Sequence, residues 1–267
     1  MYGRAVLVAC LLVLAGCNGA PAGDPTEAAT VTPAPVPDAA DRPDPGSNTS
    51  DAPDIGVVDG TVDGAALGAA HAEVRRIPHT RIHEVSVRAG DATLLEYRGV
   101  LTIVGTESRR LKEYAGPATA RYLPGDADAK SAREERYVAD GETQVRRTVD
   151  GTLRETDGSP PGRFRAPVDV GDEAAVVEAL LDGATVVGGG SSPGYRVVAS
   201  GVGPAAVPGV LEAPRNGTVR ASIRRDGRVT RIEVRYEATL DGRPVAVEQT
   251  LEWTRPSEPV RPAWADG

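Results

Sequence analysis

Cysteine is almost missing from this chain of 267 residues: there are two, Cys10 and Cys17, both near the N-terminus. The body of the protein therefore has neither a disulfide nor a cysteine-based metal site. Lysine is nearly absent as well, Lys112 and Lys130 being the only two, so the basic residues are almost all arginine. Aromatic residues make up 4%, with Phe164 the sole phenylalanine. Positive charge is in deficit, the formal net charge being −8, which argues against a nucleic-acid partner. An acidic, lysine-poor surface suits a chain kept soluble in strong salt, where screening shortens the reach of self-repulsion. Base-composition bias explains part of the arginine excess. After the first residues no apolar run approaches the roughly 18 residues of a transmembrane helix.

The N-terminus places one positive charge, Arg4, before the apolar run AVLVACLLVLA. That is the pattern of an export signal and too short to span a bilayer. It closes on Leu14-Ala15-Gly16-Cys17, which fits the lipobox of exported lipoproteins. Residues 1–16 are thus expected to be removed as a signal peptide, leaving Cys17 as lipid attachment and first mature residue. The expected location is the cell membrane, lipid-anchored and facing the outside. Residues after Cys17, up to 55, are rich in Pro, Ala, Asp and Thr, with almost no large apolar side chains. They cannot bury enough surface to offset chain entropy and read as a disordered tether. Asn48-Thr49-Ser50 and Asn216-Gly217-Thr218 match the glycosylation acceptor pattern, so Asn48 and Asn216 are candidate glycan sites, an unmodified loop asparagine being the other reading of each.

Residues 56–255 read as a single domain and 256–267 as a flexible tail. A helix is predicted from an Asp63 cap through GAALGAAHAEVRR, and a second through GDEAAVVEALLDG, capped by Asp172 and stopped at Gly183. In the second, Val176, Val177, Leu180 and Leu181 form a stripe. VTRIEVRYEATL alternates with period two, placing Ile232, Val234, Tyr236, Ala238 and Leu240 on one face, the signature of a half-buried antiparallel strand. Val245, Val247, Leu251 and Trp253 continue the pattern beyond Asp241-Gly242, and Val219, Ala221 and Ile223 precede it across Asp226-Gly227. Asp-Gly between alternating runs signals a hairpin, so 218–254 is a predicted three-stranded meander. TLLEYRGVLTIVG is another predicted strand, with weaker signals near Tyr137 and Val145.

Motifs that suggest catalysis fail on physical grounds. Gly190-Ser191-Ser192-Pro193-Gly194 matches the G-x-S-x-G nucleophile elbow. The residue after the serine must supply a backbone N–H to an oxyanion, and Pro193 has none. A strand-like GYRVVASG follows where a helix is required, and all three histidines precede the serine. GVGPAAVPG has proline where a dinucleotide fold starts a helix. His79 and His83 would share a face of an extended strand, but Arg81 between them opposes a cation, so both are expected to be ordinary surface histidines. His71, on the apolar side of the first helix, is expected to be packed with a satisfied nitrogen. No catalytic residue, metal site or cofactor is expected.

With lipobox, the TPAPVP tether, the helix DGAALGAAHAEV and an arginine-studded meander, the whole chain resembles a family of haloarchaeal lipoproteins. That family is similar, distantly, to the bacterial lipoprotein-carrier superfamily, the LolA-like fold, which also includes mycobacterial lipid-transport lipoproteins. The resemblance implies an α+β fold: a curved antiparallel half-barrel sheet with about two helices packed on its concave side. It also implies a non-catalytic protein that binds a lipid or other hydrophobic ligand between sheet and helices. The residues expected to line such a cavity are Val176, Leu180, Ile232, Val234, Tyr236, Val247, Leu251 and Trp253. The alternative is a cell-surface module with a closed core that binds another protein.

Overall fold

The computed structural model describes residues 56–73, 77–156, 164–188, 194–257 and 260–266. The expected signal peptide, Cys17, the tether with Asn48, and Ser191 to Pro193 lie outside the described residues. Along the chain run β1 (Val57–Val58), β2 (Thr61–Val62), α1 (Gly64–Glu73), β3 (His79–Ala89), β4 (Ala92–Val104) and β5 (Glu107–Ala115). Then come β6 (Ser131–Ala139), β7 (Glu142–Val149), β8 (Thr152–Thr156), α2 (Glu173–Leu181), β9 (Thr185–Gly188) and β10 (Gly194–Ser200). The meander β11 (Glu212–Arg224), β12 (Val229–Leu240) and β13 (Arg243–Thr254) completes the set.

All thirteen strands join one antiparallel sheet in the order β1-β2-β9-β10-β11-β12-β13-β3-β4-β5-β6-β7-β8. The ends, β1 and β8, do not pair with each other, so the sheet is open. Tight hairpins arise where Asp-Gly supplies two left-handed residues in succession, as at Asp241-Gly242 (φ 52° and 74°) and Asp150-Gly151 (φ 45° and 78°). The β11–β12 pairing shifts register between Glu212 and Arg215, Arg215 and Thr218, and Ser222 and Ile223; β3–β4 shifts between Val87 and Arg88. Such bulges bend strands and sharpen twist. Curvature brings Arg121, in the loop after β5, to an ion pair with Asp241 at the β12–β13 turn.

Both helices cover the concave face. Asp172 caps α2 by accepting from the Ala175 N–H at 3.3 Å, and Asp63 accepts from the Ala66 N–H at 3.0 Å ahead of α1. The helices cross closely because α1 presents glycines to α2. A Cβ at Gly64 would stand 2.7 Å from the Asp182 Cβ, and one at Gly68 2.7 Å from the Ala174 carbonyl oxygen. The α2 stripe Val176, Val177, Leu180 and Leu181 joins Ile232, Val234, Val247 and Leu251 in one core. Burying each such side chain contributes about 1.5–3 kcal/mol. Among the described residues no helix is long and apolar enough to cross a membrane.

The C-terminal residues depart from the expected flexible tail. Ala263–Asp266 form a 3-10 turn, and Val260 and Ala265 bury against Tyr137 on the convex side of β6.

Candidate functional site

Register divides the concave face into two unlike halves. One row of facing residues runs Ile232 (β12), Leu251 (β13), His83 (β3), Gly99 (β4), Lys112 (β5), Glu134 (β6) and Arg147 (β7). The next runs Trp253, Arg81, Leu101, Arg110, Arg136 and Val145. The first turns polar from β3 onward, and the second carries Arg81, Arg110 and Arg136 there with Leu101 and Val145 among them. The apolar half lies under the helices; the polar half is crossed by residues 164–172, an irregular strap that leads into α2.

Polar side chains of the sheet hold the strap by its carbonyls. Lys112 Nζ donates to the Phe164 carbonyl, Tyr114 Oη to that of Arg165 at 2.9 Å, and Arg81 Nη1 to that of Val170. The Phe164 ring meets Tyr114 edge-on, with centroids 6.1 Å apart, and carries the Arg147 guanidinium 4.9 Å above it. At the strap's end Glu173, 1% exposed, accepts from Arg81 Nη1 at 2.7 Å and from Trp253 Nε1 at 3.2 Å. This carboxylate locks the start of α2 to β3 and β13.

Between strap and sheet lies a cleft of about 370 Å³, within the range of ligand pockets, roughly 300–1,000 Å³. Tyr97, Leu101, Phe164, Ala166 and Val170 give it apolar walls; Arg81, His83, Arg110, Lys112, Arg165 and Asp169 give it polar ones. Gly99 keeps its floor low, since a Cβ there would meet the Tyr97 hydroxyl. Another depression, of about 430 Å³, lies among Glu84, Glu96, Arg98, Glu113 and Glu248. Its carboxylates, on the convex side, suit no apolar ligand.

The eight residues expected to line a cavity come together, but in a filled interface. They range from 0% exposed (Ile232, Val234) to 6% (Val176, Trp253), and none of them lines the cleft. Tyr236 Oη and the Gln249 amide both donate to the Ala206 carbonyl, which ties that part of the face to a 3-10 turn.

The histidines correct the expectation of surface residues. His79 is 3% exposed and His83 2%, because odd-numbered residues of β3 face the concave side and are covered by α2 and the strap. Arg81 does not stand as a lone cation between them; it is paired with Glu173. Burial, reinforced by the Arg81 charge and opposed by the Gln249 side chain, lowers the His83 pKa to about 3, so its ring is neutral. Neither of its ring nitrogens has a hydrogen-bond partner of normal geometry. His71, 0% exposed, accepts the Val229 N–H on Nδ1 at 3.3 Å, which puts its proton on Nε2, 3.9 Å from Glu173. Among the described residues no group of three or more His, Cys, Asp or Glu is placed to hold a metal ion. Asn216 is exposed at φ 54°, its amide donating to Glu237 at 3.2 Å.

The cleft residues Arg81, His83, Gly99, Arg110, Lys112 and Phe164 escaped the sequence reading as a site. One signal was present: ESRRLKEYA puts Arg110 and Lys112 on the same face as Tyr114, so an aromatic residue marks their side as the inner one.

Fold and site together define a class: an open, curved antiparallel sheet whose concave side is closed by two helices at one end and a strap over a cleft at the other. No protein-family model matches the chain, and no curated protein does. Among solved structures it is similar to a DUF1329 family protein from Desulfovibrio piger, at 11% identity and TM-score 0.28, over 78% of this chain and 98% of that one. It is likewise similar to a LolA superfamily protein from Nitrosomonas europaea, at 11% identity and TM-score 0.25, over 76% and 100%.

Proposed function

We propose that this protein is a membrane-anchored extracytoplasmic lipoprotein that binds or carries a lipid or other hydrophobic ligand, and that it is not an enzyme. The observation that carries the reading is the cleft of about 370 Å³ between strap and sheet, with Tyr97, Leu101, Phe164 and Val170 in its walls. Anchoring through Cys17, the extracytoplasmic location and kinship with haloarchaeal lipoproteins belong to the same proposal, supported by the export signal, lipobox and tether. Changing Cys17 to Ser is expected to release the protein to the medium or leave an uncleaved precursor. A correctly processed, membrane-bound Cys17→Ser protein would refute the anchor.

Native mass spectrometry of the protein purified from its own membranes, with organic extraction, tests the ligand. The expected result is an apolar or amphipathic molecule at one per chain. Ala166→Trp, which adds bulk to the strap side of the cleft, is expected to empty it while leaving the thermal midpoint near that of the parent. A protein that carries no such molecule and takes none from a membrane extract overturns the reading. The filled helix–sheet core would then favour the second one, a surface module that binds another protein.

A further inference from the structure

We propose that the cleft takes its ligand by an anionic head group, a phosphate or carboxylate, seated against Arg110 and Lys112 beside His83, with the chain along the apolar wall. The inference rests on the hydrophobic-ligand reading and adds the chemistry of the head.

Charge is the first argument. In a chain of net charge −8, Arg81, Arg110, Lys112 and Arg165 line this cleft against Asp169. Arg81 is neutralised by Glu173. Glu134 serves two cations at once, Arg147 at 2.6 Å and Lys112 at 3.5 Å, and so leaves positive charge in surplus. Arg110 is exposed, and among the described residues it has no carboxylate within ion-pair distance. It also faces Arg136 directly across the β5–β6 pair. A like charge in that position adds to the positive potential around Arg110.

The shape of the site is the second argument. Arg110 and Lys112 are two residues apart on one face of β5, about 7 Å along the strand, so two cationic heads border the same space. Register places Gly99 between Lys112 and His83, and the Tyr97 hydroxyl takes up the space its side chain would fill, a polar group at the floor of the site. His83 lines the cleft and is 2% exposed, with no hydrogen-bond partner of normal geometry at either ring nitrogen. A neutral imidazole carries one N–H, which an anionic oxygen in the cleft would accept. Burial lowers the Lys112 pKa, with the Arg110 and Arg147 charges adding to it and Glu134 opposing, and an incoming anion would reverse that shift. Leu101, Phe164 and Val170 continue the wall away from the charged end, which is the layout for an amphiphile.

The test is a titration of the full-length protein, stripped of bound lipid, at fixed ionic strength. Its probes are a single-chain lysophosphatidic acid, the monoacylglycerol with the same chain, and inorganic phosphate. The lysophosphatidic acid is expected to bind at least about tenfold more tightly than the monoacylglycerol, the scale of one charge-assisted hydrogen bond. Arg110→Glu should abolish that preference while leaving the thermal midpoint unchanged, because Arg110 is exposed. Equal binding of both amphiphiles, unaltered in Arg110→Glu, overturns the anionic-head inference and keeps the hydrophobic-ligand reading. Inorganic phosphate binding as tightly as the lysophosphatidic acid, with the monoacylglycerol not bound, upholds the anion seat and overturns the lipid reading. No binding of any probe overturns both.

Discussion

The two halves of the concave face hold down what covers them in different ways. Under α1 and α2 the sheet presents Ile232, Val234, Val247 and Leu251, and the helices answer with Leu67, Val177, Leu180 and Leu181, all in one core. Attachment there is non-directional and grows with the apolar area removed from water. Residues 164–172 bury Phe164, Val168 and Val170 in that same core, but there the sheet also presents Arg81, Lys112 and Tyr114, which grip carbonyl oxygens of this irregular segment at particular points. Side chains that pack by area fill the space between layers, whereas side chains that hold by their tips leave space between the tips. The apolar half is accordingly closed and the polar half contains the cleft.

The largest test of that contrast is Glu173→Ala, at the boundary between the halves. It strips buried Arg81 of its carboxylate and takes the acceptor from Trp253, and removing one partner of a buried ion pair costs about 3–5 kcal/mol. Chemical denaturation should show the loss, and a cost below about 1 kcal/mol would mean that the pair does not join α2 to the sheet.

Within the apolar half, Leu181→Ala removes a side chain with 0% exposure and should cost about 2–5 kcal/mol without changing ligand affinity. If ligand binding falls with stability intact, the filled core is not separate from the cleft.

The polar half should show itself in the pH dependence. In the folded state the His83 pKa is lowered to about 3, whereas an unfolded histidine keeps about 6.5. The unfolded chain therefore binds the extra proton between those values. The stability of the neutral buried ring is intact above about pH 6.5 and declines as pH falls toward 3, by about 1.4 kcal/mol per unit. His83→Leu should remove that slope, as measured by urea midpoints at pH 7, 6 and 5. An unchanged slope would mean that His83 is not buried neutral.

The smallest effect belongs to the convex face, where Arg235 and Glu248 lie 3.5 Å apart, both more than half exposed. A double-mutant cycle there should return no more than about 1 kcal/mol and shrink in salt. A larger coupling would show that the outer face, and not the covered inner one, contributes to the difference between regions.

Much of the apolar half was legible in the sequence, and little of the polar half was. β12 occupies Val229–Leu240, the stretch whose alternation marks it, and α2 begins after Asp172, the predicted cap. Those signals are local: a period of two or 3.6 and a capping carboxylate act within a few residues. Near the cleft the same rule misleads. His79, Arg81, His83, Arg110 and Lys112 alternate as a strand should, but alternation alone assigns polar residues to solvent. Only Val85 and Val87 on β3, and Tyr114 on β5, share their face and show that it points inward. Residues 164–172 also alternate, with Phe164, Ala166, Val168 and Val170 apolar, yet they pair with no strand and are held by their carbonyl oxygens, which the sequence pattern does not show.

From the sequence by itself came the export signal and lipobox pattern, the acidic and cysteine-poor character, the two helices and the strands of the meander, since each depends on composition or on neighbours along the chain. The tertiary structure decided that Glu173 meets Arg81 and Trp253, residues 92 and 80 positions away in sequence. It likewise decided that the strap closes over β3–β5, that the histidines are buried, and that open space lies beside Lys112 rather than beneath α2. These outcomes depend on which strands become neighbours in a curved sheet and on how two covering layers share one concave surface. Pairings between residues so far apart along the chain carry no local periodicity, so only the folded arrangement of the layers determines them.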